Sequence, residues 1–157
     1  ARRAGAAPCP KPPARTRRMT ALPTGLIAAY HGTLYRVHAT PELNKRIGVR
    51  CHDTERVLRR YRVRTAAVLT AENPGSRPQP GLVNRIRRRL LDADLKALGL
   101  QSLPTSAIDL AEIWPAERGR FVLGARLADM QRLARRHGQN AFLWIELGRP
   151  TRMRLCR

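Results

Sequence analysis

A chain of 157 residues with 43% apolar content can bury one core and is too short for two ordinary domains. No apolar run approaches the roughly 20 residues needed to cross a bilayer, and no secretory h-region is present, so the expectation is a soluble, cytoplasmic protein with no membrane partner. The formal charge of +20 invites a nucleic-acid reading, but every basic residue except Lys11, Lys45 and Lys96 is Arg, a skew that codon bias in a GC-rich genome produces unaided.

The first 18 residues are rich in Pro and Arg and offer almost nothing to bury, so they are expected to form a disordered basic tail. Met19-Thr20-Ala21-Leu22-Pro23 reads like a natural start, which makes 1–18 upstream sequence, with a nucleic-acid arm or a targeting segment as alternatives. Six of the 31 basic residues and none of the 11 acidic ones lie there, so 19–157 keeps +14 of the formal +20. That still implies weak, nonspecific affinity for polyanions.

From Leu22 to Tyr30 the apolar spacing predicts a short helix ending near Gly32, and Leu34 to His38 alternates like a half-buried strand. An irregular strand is expected around Arg46 to Val49. Asp53 is placed to cap a helix from Thr54 to about Tyr61 with Val57 and Leu58 inward. Thr65 to Ala71 is continuously apolar, the pattern of a strand covered on both faces. After a loop at 72–81, Leu82, Val83, Ile86, Leu90, Leu91, Leu95 and Leu98 recur at helical spacing up to Gly99 and predict the inner face of a long helix. Arg85, Arg88, Arg89 and Lys96 then fall on its outer face, with Arg88 and Asp92 spaced for an i,i+4 pair.

Residues 100–109 predict a short strand broken at Pro104, and Ser106 with Asp109 gives a capping-box pattern. Arg120 to Gly124 reads as a buried strand. A second amphipathic helix buries Leu127, Met130, Leu133, Ala134 and His137 and closes at Gly138. Asn140 to Leu147 and Arg152 to Cys156, joined by Gly148-Arg149-Pro150-Thr151, form an antiparallel hairpin. The whole predicts a single α/β layered domain over 19–157, with a mixed sheet, flanking helices and a C-terminal antiparallel hairpin.

Cys9, Cys51 and Cys156 are scattered, and no His stands at ligand spacing, so free thiols and no metal or other cofactor are expected. The Asn73-Pro74-Gly75-Ser76 loop follows the strongest strand and precedes the longest helix. It is either a well-made turn or a cradle in which loop N–H groups, Ser76, Arg77 and the helix start with Asn84 hold an anionic or sugar-like ligand. Gln139 and Asn140 either satisfy loop backbone or read a base or sugar hydroxyls. Glu117, a lone carboxylate entering a buried strand, is the candidate general acid or base, with pairing to a neighbouring Arg as the alternative. Trp114 is expected to anchor its loop in the core, with a base-stacking platform as the alternative, and Ser76 lacks the Gly-x-Ser-x-Gly setting of a hydrolase nucleophile.

Four motifs in order, Tyr35-Arg36-Val37, Leu69-Thr70-Ala71-Glu72-Asn73-Pro74, Trp114-Pro115-Ala116-Glu117 with Phe121-Val122-Leu123-Gly124, and Gly138-Gln139-Asn140-Ala141, make the chain resemble a small uncharacterised bacterial family of unknown function over about 22–157. Glu72 and Arg118-Gly119-Arg120 depart from that family's pattern, and the resemblance carries no activity. Three functional expectations follow. The first is a basic domain binding a nucleotide or nucleic-acid-like ligand at Asn73 to Ser76. The second is an enzyme cleaving a glycosidic or phosphoester bond of a nucleotide- or nucleoside-like substrate, with Glu117 as acid/base and Asn73 orienting substrate or water. The third is an interaction protein with no small-molecule site. The oligomeric state is left open.

Overall fold

A computed structural model describes residues 21–156, so the basic tail expected over 1–18 and Cys9 lie outside the described residues. The chain order is α1 (Thr24–Gly32), β1 (Thr33–Val37), β2 (Leu43–Lys45), α2 (His52–Arg60), β3 (Thr65–Thr70), a single 3-10 turn (Pro74–Ser76), α3 (Gly81–Ala97), β4 (Ser102–Asp109), β5 (Glu117–Leu123), α4 (Leu127–Arg136), β6 (Ala141–Glu146) and β7 (Arg152–Leu155). The α/β class and the C-terminal hairpin are as expected. Among the described residues, no helix is long and apolar enough to cross a membrane.

The seven strands form one sheet in the order β2-β1-β4-β5-β3-β6-β7. Every pairing is antiparallel, which corrects the mixed sheet expected from alternating strands and helices. The helical crossovers do join strands of the same direction, β3 to β4 through α3 and β5 to β6 through α4. Each skips one position, however, and an antiparallel strand fills the gap. The sheet curls until its ends meet: the Gly48 N–H donates to the Thr151 carbonyl at 2.8 Å, and the Thr151 N–H to the Val49 carbonyl at 3.2 Å.

Strand β3 sits near the centre with Ala66 to Leu69 all buried, because both sheet faces are covered. On one face Leu69, Val122 and Trp144 pack against Leu91 and Leu95 of α3 and Met130 and Leu133 of α4. On the other, Val37, Val68, Phe121 and Leu143 pack with Val57 and Leu58 of α2. Each fully buried Val, Leu or Phe contributes roughly 1.5–3 kcal/mol, so these two clusters dominate the stability.

Several local expectations are corrected. The strand placed at 46–49 is β2, a few residues earlier, and α2 starts at His52 with Cys51, not Asp53, at its N-cap. Strand β4 runs through Pro104: His38, just past the end of β1, donates to the Pro104 carbonyl at 2.9 Å, and the donor that proline lacks would point where β1 has already ended. Ser106 and Asp109 cap no helix, since both belong to β4. Arg88 pairs with Glu72 rather than Asp92, and Arg120 takes Asp92 in a two-point contact at 2.6 and 2.7 Å.

The largest correction concerns α3. Leu91 and Leu95 are buried, but Leu82, Val83, Ile86, Leu90 and Leu98 are exposed. The inward side carries Asn84, Arg87 and Arg88 instead. Arg87 donates to the carbonyls of Ala71 and His137, both at 2.7 Å, satisfying two loop acceptors that no helix or strand pairs. Periodicity tells which residues share a face; backbone acceptors in the 71–73 and 137–138 loops decide which face turns in.

Candidate functional site

Helix α1 buries none of its residues and lies over the α2 side of the sheet. Between it and the strands is a cavity of about 450 Å³, a size ordinary for small-molecule sites. Its floor is apolar, with Tyr35, Val68, Ala107, Leu143 and Met153. Its polar end collects Asn73, Ser76, Glu117 and Gln139 with Tyr30 and Trp114.

Antiparallel register and two loops assemble that end. Asn73 leaves β3 in the left-handed region (φ 46°), a conformation Asn tolerates better than most residues. Its Oδ1 accepts from the Gln79 N–H at 2.9 Å and from Asn84 Nδ2 at 2.9 Å, while its own N–H donates to Asn84 Oδ1 at 3.0 Å. With Oδ1 committed, the amide orientation is set and Asn73 Nδ2 donates to Glu117 Oε1 at 2.8 Å. Trp114 Nε1 donates to the same oxygen at 3.2 Å, and Glu117 Oε2 accepts no hydrogen bond among the described residues. Asp109 holds the 110–114 loop by accepting from the N–H groups of Ala111, Ile113 and Trp114, each at 3.0 Å.

Burial holds the Glu117 carboxyl above the ordinary carboxylate value. Hydrogen bonds from Asn73 and Trp114 oppose the shift, and the negative charge of Glu72 adds to it. Tyr30 is likewise raised, first by burial, so its phenol stays protonated. Asn140 Nδ2 donates to Ser76 Oγ at 2.9 Å, and Ser76 Oγ lies 3.3 Å from the Tyr30 hydroxyl, tying the Pro74–Ser76 turn to α1.

The sequence candidates separate into three groups. Asn73, Ser76, Glu117 and Gln139 line the cavity. Asn84 and Asn140 stand behind them as partners of Asn73 and Ser76. Gly75 and Arg77 are exposed and outside the lining: the Gly75 N–H donates to the Gly138 carbonyl at 2.7 Å, and Gly75 has φ 64°, so the turn needs its conformational freedom. Gln139 also satisfies backbone, its Nε2 donating to the Glu72 carbonyl at 2.9 Å. Trp114 is not the core anchor expected; it is 37% exposed and reaches the cavity. In the sequence Tyr30 stands out only as an apolar helix position and Tyr35 only as a motif residue. Their hydroxyls, in a chain with only three tyrosines, were the available signal.

A second cleft of about 480 Å³ opens on the α3 side, with Arg88, Arg118, Arg120, His38 and Asp92 in its wall. Glu72 and Asp92 neutralise Arg88 and Arg120 there. His137 is packed: it is buried, its Nε2 is 2.9 Å from Asp94 Oδ2, and burial first of all lowers its pKa.

Residues 69–142 match a family model described as "Protein of unknown function (DUF3293)". The segment matching DUF3293 runs from β3 into β6 and includes Asn73, Ser76, Asn84, Glu117, Gln139 and Asn140. It leaves out α1, β1 and α2, so the cavity's polar end lies mostly within the DUF3293 match and its α1 wall outside it. No curated protein and no solved structure matches the chain.

Proposed function

We propose that the cavity under α1 binds a neutral or cationic organic molecule of about nucleoside size, carrying N–H or O–H donors and no phosphate. One observation carries this reading: in a chain of formal charge +20, the described residues lining the cavity include Asp109 and Glu117 but no Lys or Arg. A phosphate there would meet no cation, whereas Glu117 Oε2, Gln139 Oε1 and the Tyr30 and Ser76 hydroxyls offer acceptors. The Trp114 and Tyr30 rings supply apolar faces suited to a flat base.

The free Oε2 of a carboxyl with a raised pKa supports a second step, proton exchange with the bound molecule, as in cleavage of an N-glycosidic bond. A thermal-shift panel of nucleosides against their monophosphates tests both parts, since a ligand that binds only the folded chain raises its melting temperature. Nucleosides are expected to stabilise the parent and to stabilise Glu117→Gln less, with any turnover lost in the variant. Greater stabilisation by the monophosphates, or equal stabilisation of parent and variant by nucleosides, overturns the reading.

A further inference from the structure

The exposed side of α3 has a pattern that neither the core nor the cavity uses. Val83, Ile86, Leu90, Ala93 and Ala97 follow one another at alternating steps of three and four residues, the seam spacing of a coiled coil, and all five are exposed. Leu82 stands beside them at 65% exposure, Leu90 is 55%, Ile86 50% and Val83 37%. Along the seam, Arg85, Arg89 and Lys96 are also exposed and make no ion pair among the described residues.

We infer that this face of α3 docks an amphipathic helix of a partner protein whose apolar seam is flanked by acidic residues. Spacing selects a helix as the partner, and the three unpaired cations select its charge. A second copy of the chain fits worse. Packed antiparallel, with Ile86 opposite Ala97 and Leu90 opposite Ala93, two copies match in size but bring Arg89 against Lys96 twice. Packed in parallel, Arg89 would need Asp94, which His137 at 2.9 Å and Arg136 at 3.2 Å already occupy. Residues 1–18, with six basic and no acidic positions, carry the wrong charge to cover it. An anionic lipid surface would match the charge, but the stripe is one seam wide, ends in two alanines and has no aromatic residue.

The test uses the full chain and two labelled designed helical peptides with leucine at the seam, one flanked by glutamate and one by lysine. In fluorescence anisotropy the glutamate peptide is expected to bind at least about tenfold tighter than the lysine peptide. Ile86→Gln with Leu90→Gln, two exposed positions whose change leaves the core intact, should weaken that binding by about tenfold or more, and Leu110→Ser elsewhere on the surface should not. Sedimentation should show a monomer. No binding of the glutamate peptide, binding indifferent to the double substitution, self-association that the double substitution abolishes, or retention on phosphatidylserine vesicles that it abolishes would each overturn the inference.

Discussion

On the proposed reading Glu117 is the residue that meets the bound molecule, and its environment gives a pH signature independent of any ligand. A carboxyl raised by burial binds more protons in the folded than in the unfolded chain between its ordinary value of 4.5 and its folded one. Its contribution to stability is therefore full below about pH 4.5 and is lost as pH rises through the folded value. Glu117→Gln keeps an acceptor for Asn73 and Trp114 while removing the charge. The variant should melt higher than the parent at pH 7 and show no such advantage at pH 4, by thermal denaturation at both values. An equal or lower melting temperature at pH 7 would mean that the carboxylate is well solvated.

The neighbouring candidates were legible because their residue types are unusual for their places. Asn73 and Gln139 are amides at the ends of apolar strands, and Glu117 is an acid in a basic chain. Trp114 was legible only as an alternative, because a tryptophan in a loop reads first as an anchor until its Nε1 is seen donating to Glu117.

At the scale of elements, strands announced themselves where both faces are covered, as in β3 and β6, since continuous apolar runs have few other uses in a chain this size. Strand β4 showed only as a short strand broken at Pro104, because its half-exposed residues and the proline hide its full length until β1 is known to end beside the proline. Gly119 in β5 is a position where one element depends on its neighbours. A Cβ there would stand 2.7 Å from the Leu69 carbonyl oxygen and 3.0 Å from Thr105 Oγ1, so β3, β4 and β5 could not keep their spacing. Gly119→Ala should cost about 1–3 kcal/mol in chemical denaturation, by the mechanism of overpacking. A change within about 0.5 kcal/mol, the range typical of surface substitutions, would show that the strands shift without cost.

At the scale of the whole molecule, the charge counted along the sequence does not say where the cations stand in the fold. The Arg count alone implies no more than a weak, nonspecific affinity for polyanions. The fold spends Arg87 on loop carbonyls, Arg88 and Arg120 on carboxylates, and leaves the cavity under α1 without a cation among its described lining residues. Which arginines meet which acceptors depends on pairings far apart in the chain, such as Arg120 with Asp92, and local pattern does not encode them. The same long-range placement turns the apolar stripe of α3 outward and puts α1, whose sequence marks only a short helix, over the cavity.

The central claim, a phosphate-free ligand held at Glu117, is tested most directly by nuclear magnetic resonance. Adenosine and adenosine monophosphate would be titrated in turn while the Trp114 Nε1–H and the side-chain amides of Asn73 and Gln139 are followed. The geometry predicts saturable shifts at those three groups with adenosine and weaker ones with the monophosphate. Shifts confined to the Arg88, Arg118 and Arg120 cleft, with the monophosphate as the tighter ligand, would contradict it.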